Sequence, residues 1–68
     1  MLVKKEMIRN RHGKIMGWIE TDHLQNKVVR DFNGKIKGRY KKVSNTTLDD
    51  RGKIIGYGDG TSSLLFNK

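Results

Sequence analysis

The 68-residue sequence contains no cysteine, and only 34% of its residues are hydrophobic. Without cysteine there is no disulfide, and without paired Cys and His clusters there is no structural zinc site, so both common reinforcements of a very small domain are excluded. A chain of this length buries only about 60% of the surface that its unfolded form exposes. We therefore expect one domain over residues 1–68, with a marginal stability that association with a second copy would increase.

Long apolar runs are also missing. Charge begins at Lys4, Lys5 and Glu6, and no apolar stretch of signal-peptide or membrane-spanning length follows. These features predict a cytoplasmic protein, and the lack of cysteine is consistent with a reducing compartment.

Positive charge, by contrast, is abundant. Fifteen Lys and Arg residues against seven Asp and Glu give a formal net charge of +8. Such a surface attracts polyanions, whether nucleic acid, an anionic membrane or an acidic protein. The same charge has a second interpretation, because it keeps a small β protein soluble and its sheet edges unpaired without any ligand. Composition leaves both interpretations open.

Three segments of the sequence align on one pattern, Asn/Asp-x-x-Gly-Lys-Ile-x-Gly. They span residues 8–18, 29–39 and 47–57, and the Gly, Lys, Ile and second Gly columns are identical in all three. Periodicity of this kind is typical of a repeat architecture. We interpret the segments as three tandem β-hairpins, over about residues 3–21, 27–43 and 45–58.

Each repeat carries the chemistry of a hairpin turn. The Asn/Asp column places a side-chain oxygen where it accepts a hydrogen bond from the backbone two residues later. The first Gly column falls where a three-residue loop ends in a left-handed residue. The predicted structural turn residues are Gly13, Gly34 and Gly52. The connector over residues 22–27 is predicted to hold either a short turn or one helical turn.

Beyond each turn, strict alternation assigns the side chains to two faces of a sheet. One face carries Ile15, Ile36 and Ile54, which we expect to form the core. The glycine two positions after each isoleucine is expected to mark a close approach of neighbouring backbone. On the opposite face the middle repeat reads as a basic row, and the outer repeats carry apolar residues.

The apolar residues of that second face have no core to enter if the isoleucine face alone is buried. Either the chain folds back so that both faces are partly covered, or this set meets a second subunit. The C-terminal run is expected to form a short strand over residues 62–67 that pairs with an edge strand or packs under the sheet, in the same subunit or its neighbour. We take a homo-oligomer as the first hypothesis. Its candidate contacts are Met16, Trp18, Ile55, Tyr57, Leu64, Leu65 and Phe66.

The basic row gives a second hypothesis, binding of single-stranded nucleic acid or another polyanion. Alternate residues of a strand stand about 6.6–6.8 Å apart, close to the separation of successive phosphates in an extended single strand. Trp18, Tyr40 or Tyr57 could stack bases. The candidate residues are Lys35, Lys37, Arg39, Lys41 and Lys42. A solvated lysine face without a ligand is the alternative.

Residues that would support catalysis are few. His12 falls in the first turn, where the other repeats carry Asn33 and Arg51, and His23 falls in a connector, so both are interpreted as solvated. Two histidines at this separation with no cysteine do not match a zinc spacing. The glycine turns lead into strands instead of helices, which excludes a phosphate loop. The sequence predicts a protein that is not an enzyme and needs no cofactor.

The repeat pattern, with the ending Ile-Gly-Tyr-Gly-Asp-Gly over residues 55–60 and an apolar tail, resembles a group of short bacterial proteins of unknown function made of tandem hairpins. The similarity covers about residues 27–66 and implies the same architecture, with no activity. Residues 33–40 are more distantly similar to MORN-type repeats. The Tyr/Trp-Gly frame of those repeats is missing, so their lipid-binding and scaffolding roles are not transferred. We predict an all-β fold, an antiparallel meander of three hairpins plus a C-terminal strand.

Overall fold

The computed structural model describes residues 2–65, without the side chains of residues 2, 62 and 63. They form one sheet of six antiparallel strands, whose order in the sheet is their order in the chain. The strands are β1 (Leu2–Arg9), β2 (Ile15–Asp22), β3 (Lys27–Asp31), β4 (Ile36–Lys41), β5 (Thr46–Asp49) and β6 (Ile54–Tyr57). The predicted all-β antiparallel meander of three hairpins is confirmed.

All five turns of this meander share one backbone geometry. In each, an N–H donates to the carbonyl oxygen three positions earlier, over 2.9–3.2 Å, and the donor residue has a positive φ. The donors and their φ values are Gly13 (80°), Gln25 (70°), Gly34 (87°), Asn45 (52°) and Gly52 (85°). The three sequence repeats are therefore the copies in which this turn uses glycine.

Side-chain oxygens hold four of these turns. The Oδ1 atom of Asp31 accepts the backbone N–H of Asn33 at 2.9 Å and that of Lys35 at 3.0 Å. The same pair of contacts is made by Asn10, Asp22 and Asp49. Because Asp22 supplies these bonds, residues 22–26 form a fourth turn of the same kind and not a helical turn.

Gln25 occupies a left-handed position that costs a residue with a Cβ about 1–2 kcal/mol. Gln25→Gly is expected to raise the free energy of unfolding by about 0.5–1 kcal/mol, since glycine adopts this φ freely but loses more backbone entropy on folding. Gln25→Ala is the matched control, because it shortens the side chain yet keeps the Cβ. Urea unfolding followed by tryptophan fluorescence measures both. A glycine variant no more stable than the alanine variant would contradict the assigned turn.

Each hairpin also carries a β-bulge at the same place in its second strand. Ile8 lies opposite Gly17 and Arg9 opposite Ile15, so Met16 is the extra residue of the first hairpin. The equivalent residues of the other two hairpins are Lys37 and Ile55. A bulge sets two residues against one and shifts the alternation by one position. The isoleucine and second glycine of each repeat consequently point to different faces.

These bulges overturn the predicted isoleucine core. Ile15 and Ile36 are half-buried and Ile54 is 49% exposed. The buried hydrophobic residues are instead Ile19, Val29, Tyr40, Leu48, Leu64 and Leu65. Four of them, from β2, β3 and the C-terminal segment, form one cluster: Ile19, Val29, Leu64 and Leu65. This cluster lies on the face that carries the glycines, whereas Leu48 is buried on the other face.

The C-terminal segment turns back over the sheet at Gly58, whose φ is 87°. The hydroxyl of Thr47 donates to the Gly58 carbonyl oxygen at 2.7 Å. Asp59 Oδ1 then accepts the backbone N–H of Thr61 at 3.1 Å and its hydroxyl at 2.6 Å. This capping starts a 3₁₀ helix over Thr61–Leu65.

The 3₁₀ helix packs on β2, β3 and β4, and it defines the covered face of the sheet. Its Leu64 and Leu65 complete the core of a chain poor in hydrophobic residues. The predicted C-terminal strand over residues 62–67 is therefore wrong in its described part. Phe66 lies outside the described residues.

Candidate functional site

Two surfaces of the sheet are candidates for contact with a partner, since no other element packs on them in the part of the chain that the structure describes. The first is the face opposite the 3₁₀ helix, here called the open face. Cross-strand pairing arranges its side chains in rows that run across the strands. The longest row crosses all six strands through Lys5, Glu20, Val28, Arg39, Leu48 and Ile54, and its neighbour contains Met7, Trp18, Arg30 and Ile36. The second surface is the outer edge of β6.

Trp18 lies within a bonded group on the open face. Its Nε1 donates to Glu20 Oε2 at 2.9 Å, and Arg30 Nε donates to Glu20 Oε1 at 3.2 Å. Arg30 Nη1 also donates to the carbonyl oxygen of Gly34 at 3.0 Å. Lys5 Nζ stands 4.6 Å from the centroid of the indole. These contacts hold the chain's single indole in one orientation on the sheet.

The hydrogen bond from Trp18 lowers the pKa of Glu20 below its usual value, partial desolvation opposes this shift, and Arg30 and Lys5 add to it. A lowered carboxyl pKa contributes stability that is present above the unfolded-state value and is lost as the pH falls through the folded-state value. Glu20 therefore remains ionised at neutral pH, and its charge is offset by the two cations beside it.

The structure does not keep the predicted basic row on one face. Arg39 and Lys41 are exposed and belong to the open face. Lys37 is the bulged residue and lies on the covered face, in a groove beside the 3₁₀ helix. Lys35 and Lys42 are exposed turn residues. The prediction assumed strict alternation of side chains along β4. The bulge at Lys37 shifts this alternation by one residue, so the predicted row is divided between the two faces.

Stacking by Tyr40, which the sequence allowed, is wrong. Tyr40 is 5% exposed on the covered face, and its hydroxyl donates to Asn45 Oδ1 at 2.6 Å. Arg30, which the sequence reasoning placed near the basic row, lies on the open face, and so does Arg9, which that reasoning missed. Both precede the Asn/Asp of their turn, and Arg9 bonds the carbonyl oxygen of Gly13 at 3.1 Å just as Arg30 bonds that of Gly34. The residue before the Asn/Asp is arginine in the first two repeats, and this shared position could have identified Arg9 from the sequence.

Three of the predicted self-association residues pack against other residues of the same chain. Met16 packs against the core cluster, and Leu64 and Leu65 are 7% and 8% exposed. Their assignment to a contact with a second subunit is therefore wrong, and packing under the sheet of the same chain is correct. The bulge at Met16 explains its position, since it turns this side chain toward the covered face.

The other described members, Trp18, Ile55 and Tyr57, lie on surfaces without a partner in the described structure. Trp18 is half-buried on the open face, while Ile55 and Tyr57 of β6 are 50% and 83% exposed. β6 is an edge strand of four residues with no charged side chain. The opposite edge, β1, is charged at four of its eight positions: Lys4, Lys5, Glu6 and Arg9. The two edges are thus chemically different.

His12 and His23 are both exposed. Within residues 2–65, no group of three His, Cys, Asp or Glu side chains is placed to hold a metal ion. That region also contains no helix with the length and hydropathy needed to cross a membrane. Comparison of the chain with protein-family models, curated proteins and solved structures finds no match. The open face and the β6 edge are the surfaces from which a function can be argued.

Proposed function

We propose that this protein is a non-enzymatic, cytoplasmic interaction or structural module that self-associates through β6. The observation that supports this is the character of the edge: four residues, no charge, and three large side chains exposed by about half or more, Ile54, Ile55 and Tyr57. An exposed apolar edge strand presents free backbone donors and acceptors to any strand that can pair with it.

The contrast between the two edges favours β6 over β1 as the contact. Charged side chains on an edge strand disfavour pairing with another sheet, and β1 has them at Lys4, Lys5 and Glu6. β6 has charge only beyond its ends, at Lys53 and Asp59. Antiparallel pairing of β6 with β6 of a second copy uses the same patch twice and closes as a dimer.

The size of the core supports the same proposal. The described residues bury six hydrophobic side chains within the chain, and two of them come from the 3₁₀ helix. Small domains with so little buried apolar surface gain stability by association, because a partner that binds only the folded state shifts the equilibrium toward it. Pairing at β6 would add Ile55 and Tyr57 to the surface that is removed from water.

Tyr57→Lys is expected to convert the associated protein to a folded monomer, because it places a charge on the edge without touching the core. Val3→Lys is the matched control, since Val3 is a 63% exposed apolar residue of the other edge strand. Light scattering after size exclusion, at tens of micromolar protein, gives the masses. A monomeric wild type would refute the proposal, and so would dissociation by the Val3 variant with the Tyr57 variant still associated.

A further inference from the structure

The acidic side chains are distributed unevenly over the two faces of the sheet. Of the seven in the chain, Glu20 lies on the open face, and Asp22 lies at its rim, where it lines a groove together with Arg39 and Lys41. Asp22, Asp31 and Asp49 are hydrogen-bonded within turns, and Asp50 follows in the last turn. The other two belong to the covered face: Glu6, opposite the core residue Ile19, and Asp59, paired with Lys27. The excess positive charge of the sheet is therefore concentrated on the open face.

Five cations stand on that face: Lys5, Arg9, Arg30, Arg39 and Lys41. Neighbouring strands are about 4.8 Å apart and alternate residues of a strand about 6.6–6.8 Å apart. Arg39 and Lys41 are alternate residues of β4, so their spacing matches that of successive phosphates in an extended chain. With Glu20 already neutralised by its neighbours, the face complements a flexible polyanion.

The indole of Trp18 adds a stacking group to this basic surface. Its ring is held by the bond from Nε1 to Glu20 and extends across β3 toward the next turn, where Cη2 would lie 3.8 Å from a Cβ on Gly34. The ammonium of Lys5 covers the ring at 4.6 Å. Lys5 is exposed, so a base can take its place over the ring and leave the ammonium free to meet a phosphate.

We infer that the open face binds single-stranded nucleic acid, with phosphates on its arginines and lysines and one base stacked on Trp18. Sheet faces that combine a positive surface with aromatic side chains bind single strands in this way, and base stacking on an aromatic side chain contributes about 1–3 kcal/mol per base. A single strand fits better than a duplex because its bases are free to stack. One copy of the chain carries the whole surface, so the inference does not depend on self-association at β6.

Binding of oligothymidylate at low salt is expected to quench the fluorescence of Trp18, the only tryptophan in the chain. Arg39→Glu with Lys41→Glu should weaken binding at least about tenfold, because two phosphate contacts become repulsive. Lys35→Glu with Lys53→Glu is the matched control. This control makes the same change in net charge at exposed turn residues that are not on the open face. It should reduce the affinity for oligothymidylate less than about threefold.

Three outcomes would overturn the inference: binding of oligothymidylate without quenching, an equal loss of affinity in the two charge variants, or tighter binding to phosphatidylserine vesicles than to the oligonucleotide. Circular dichroism tests whether both variants are folded. Should the face variant unfold, Arg39→Gln with Lys41→Gln repeats the comparison against Lys35→Gln with Lys53→Gln. The mass of each variant, measured in the same buffer, separates failure of binding from failure of self-association.

Discussion

Gly17→Ala and Gly38→Ala are each expected to destabilise the fold strongly, whereas Gly56→Ala is expected to leave its stability nearly unchanged. The three glycines occupy the same column of the repeat. A Cβ on Gly17 would overlap the carbonyl oxygen of Arg30, which is backbone and cannot rotate away. One on Gly38 would lie 2.5 Å from the carbonyl oxygen of Leu48 and 2.6 Å from Cδ1 of Leu64. Around Gly56 there is nothing within 4 Å.

The expected loss is about 3 kcal/mol at each of the first two positions, the upper part of the range for overpacking. A chain of this length has a free energy of unfolding of roughly 3–10 kcal/mol, so each variant loses about a third of this stability at the upper limit and nearly all of it at the lower limit. Thermal and urea unfolding of Gly17→Ala, Gly38→Ala and Gly56→Ala measure the three values. Equal effects at all three positions would contradict the packing described here.

Leu64→Ala is expected to lower the free energy of unfolding by about 3 kcal/mol, because it empties a site in a cluster of four buried side chains. Leu24→Ala is the matched control, since Leu24 is 62% exposed in the turn between β2 and β3 and its truncation should have little effect. Urea unfolding measures the free energy of unfolding of both variants.

The same variant distinguishes a core residue from an interface residue. If Leu64 acts within its own chain, Leu64→Ala loses stability while the folded protein keeps its association state. Mass measurement below the melting temperature tests this. A folded, monomeric Leu64→Ala protein with unchanged unfolding energy would place Leu64 at a contact with a second copy and would contradict its assignment to the core.

The turns and the meander could be predicted because their signals are local. In each of the three repeats, an Asn or Asp side chain and a glycine three positions later determine the reversal within five residues. This pattern does not identify the turn that ends at Asn45. The turn begins at Lys42, whose side chain has no oxygen to accept a backbone hydrogen bond. The pattern left the turn at Gln25 undecided, since the left-handed residue there is not glycine.

The faces could not be predicted because a bulge depends on the neighbouring strand. Nothing in Gly-Lys-Ile-x-Gly marks the fourth residue as the one without a partner, yet this single shift moves Met16 and Lys37 to the covered face. The C-terminal run was equally ambiguous, because a short apolar sequence suits a strand or a helical turn. Asp59 determines the outcome through its bonds to Thr61.

Association at the uncharged edge strand β6 is the central proposal for this protein. Amide hydrogen exchange measured over a range of protein concentrations tests it strand by strand. If the protein associates through β6, amides of β6 become protected as concentration rises, while the outward amides of β1 exchange at the same rate throughout. Protection that increases at β1 instead, or β6 amides that exchange equally fast at every concentration, would contradict it.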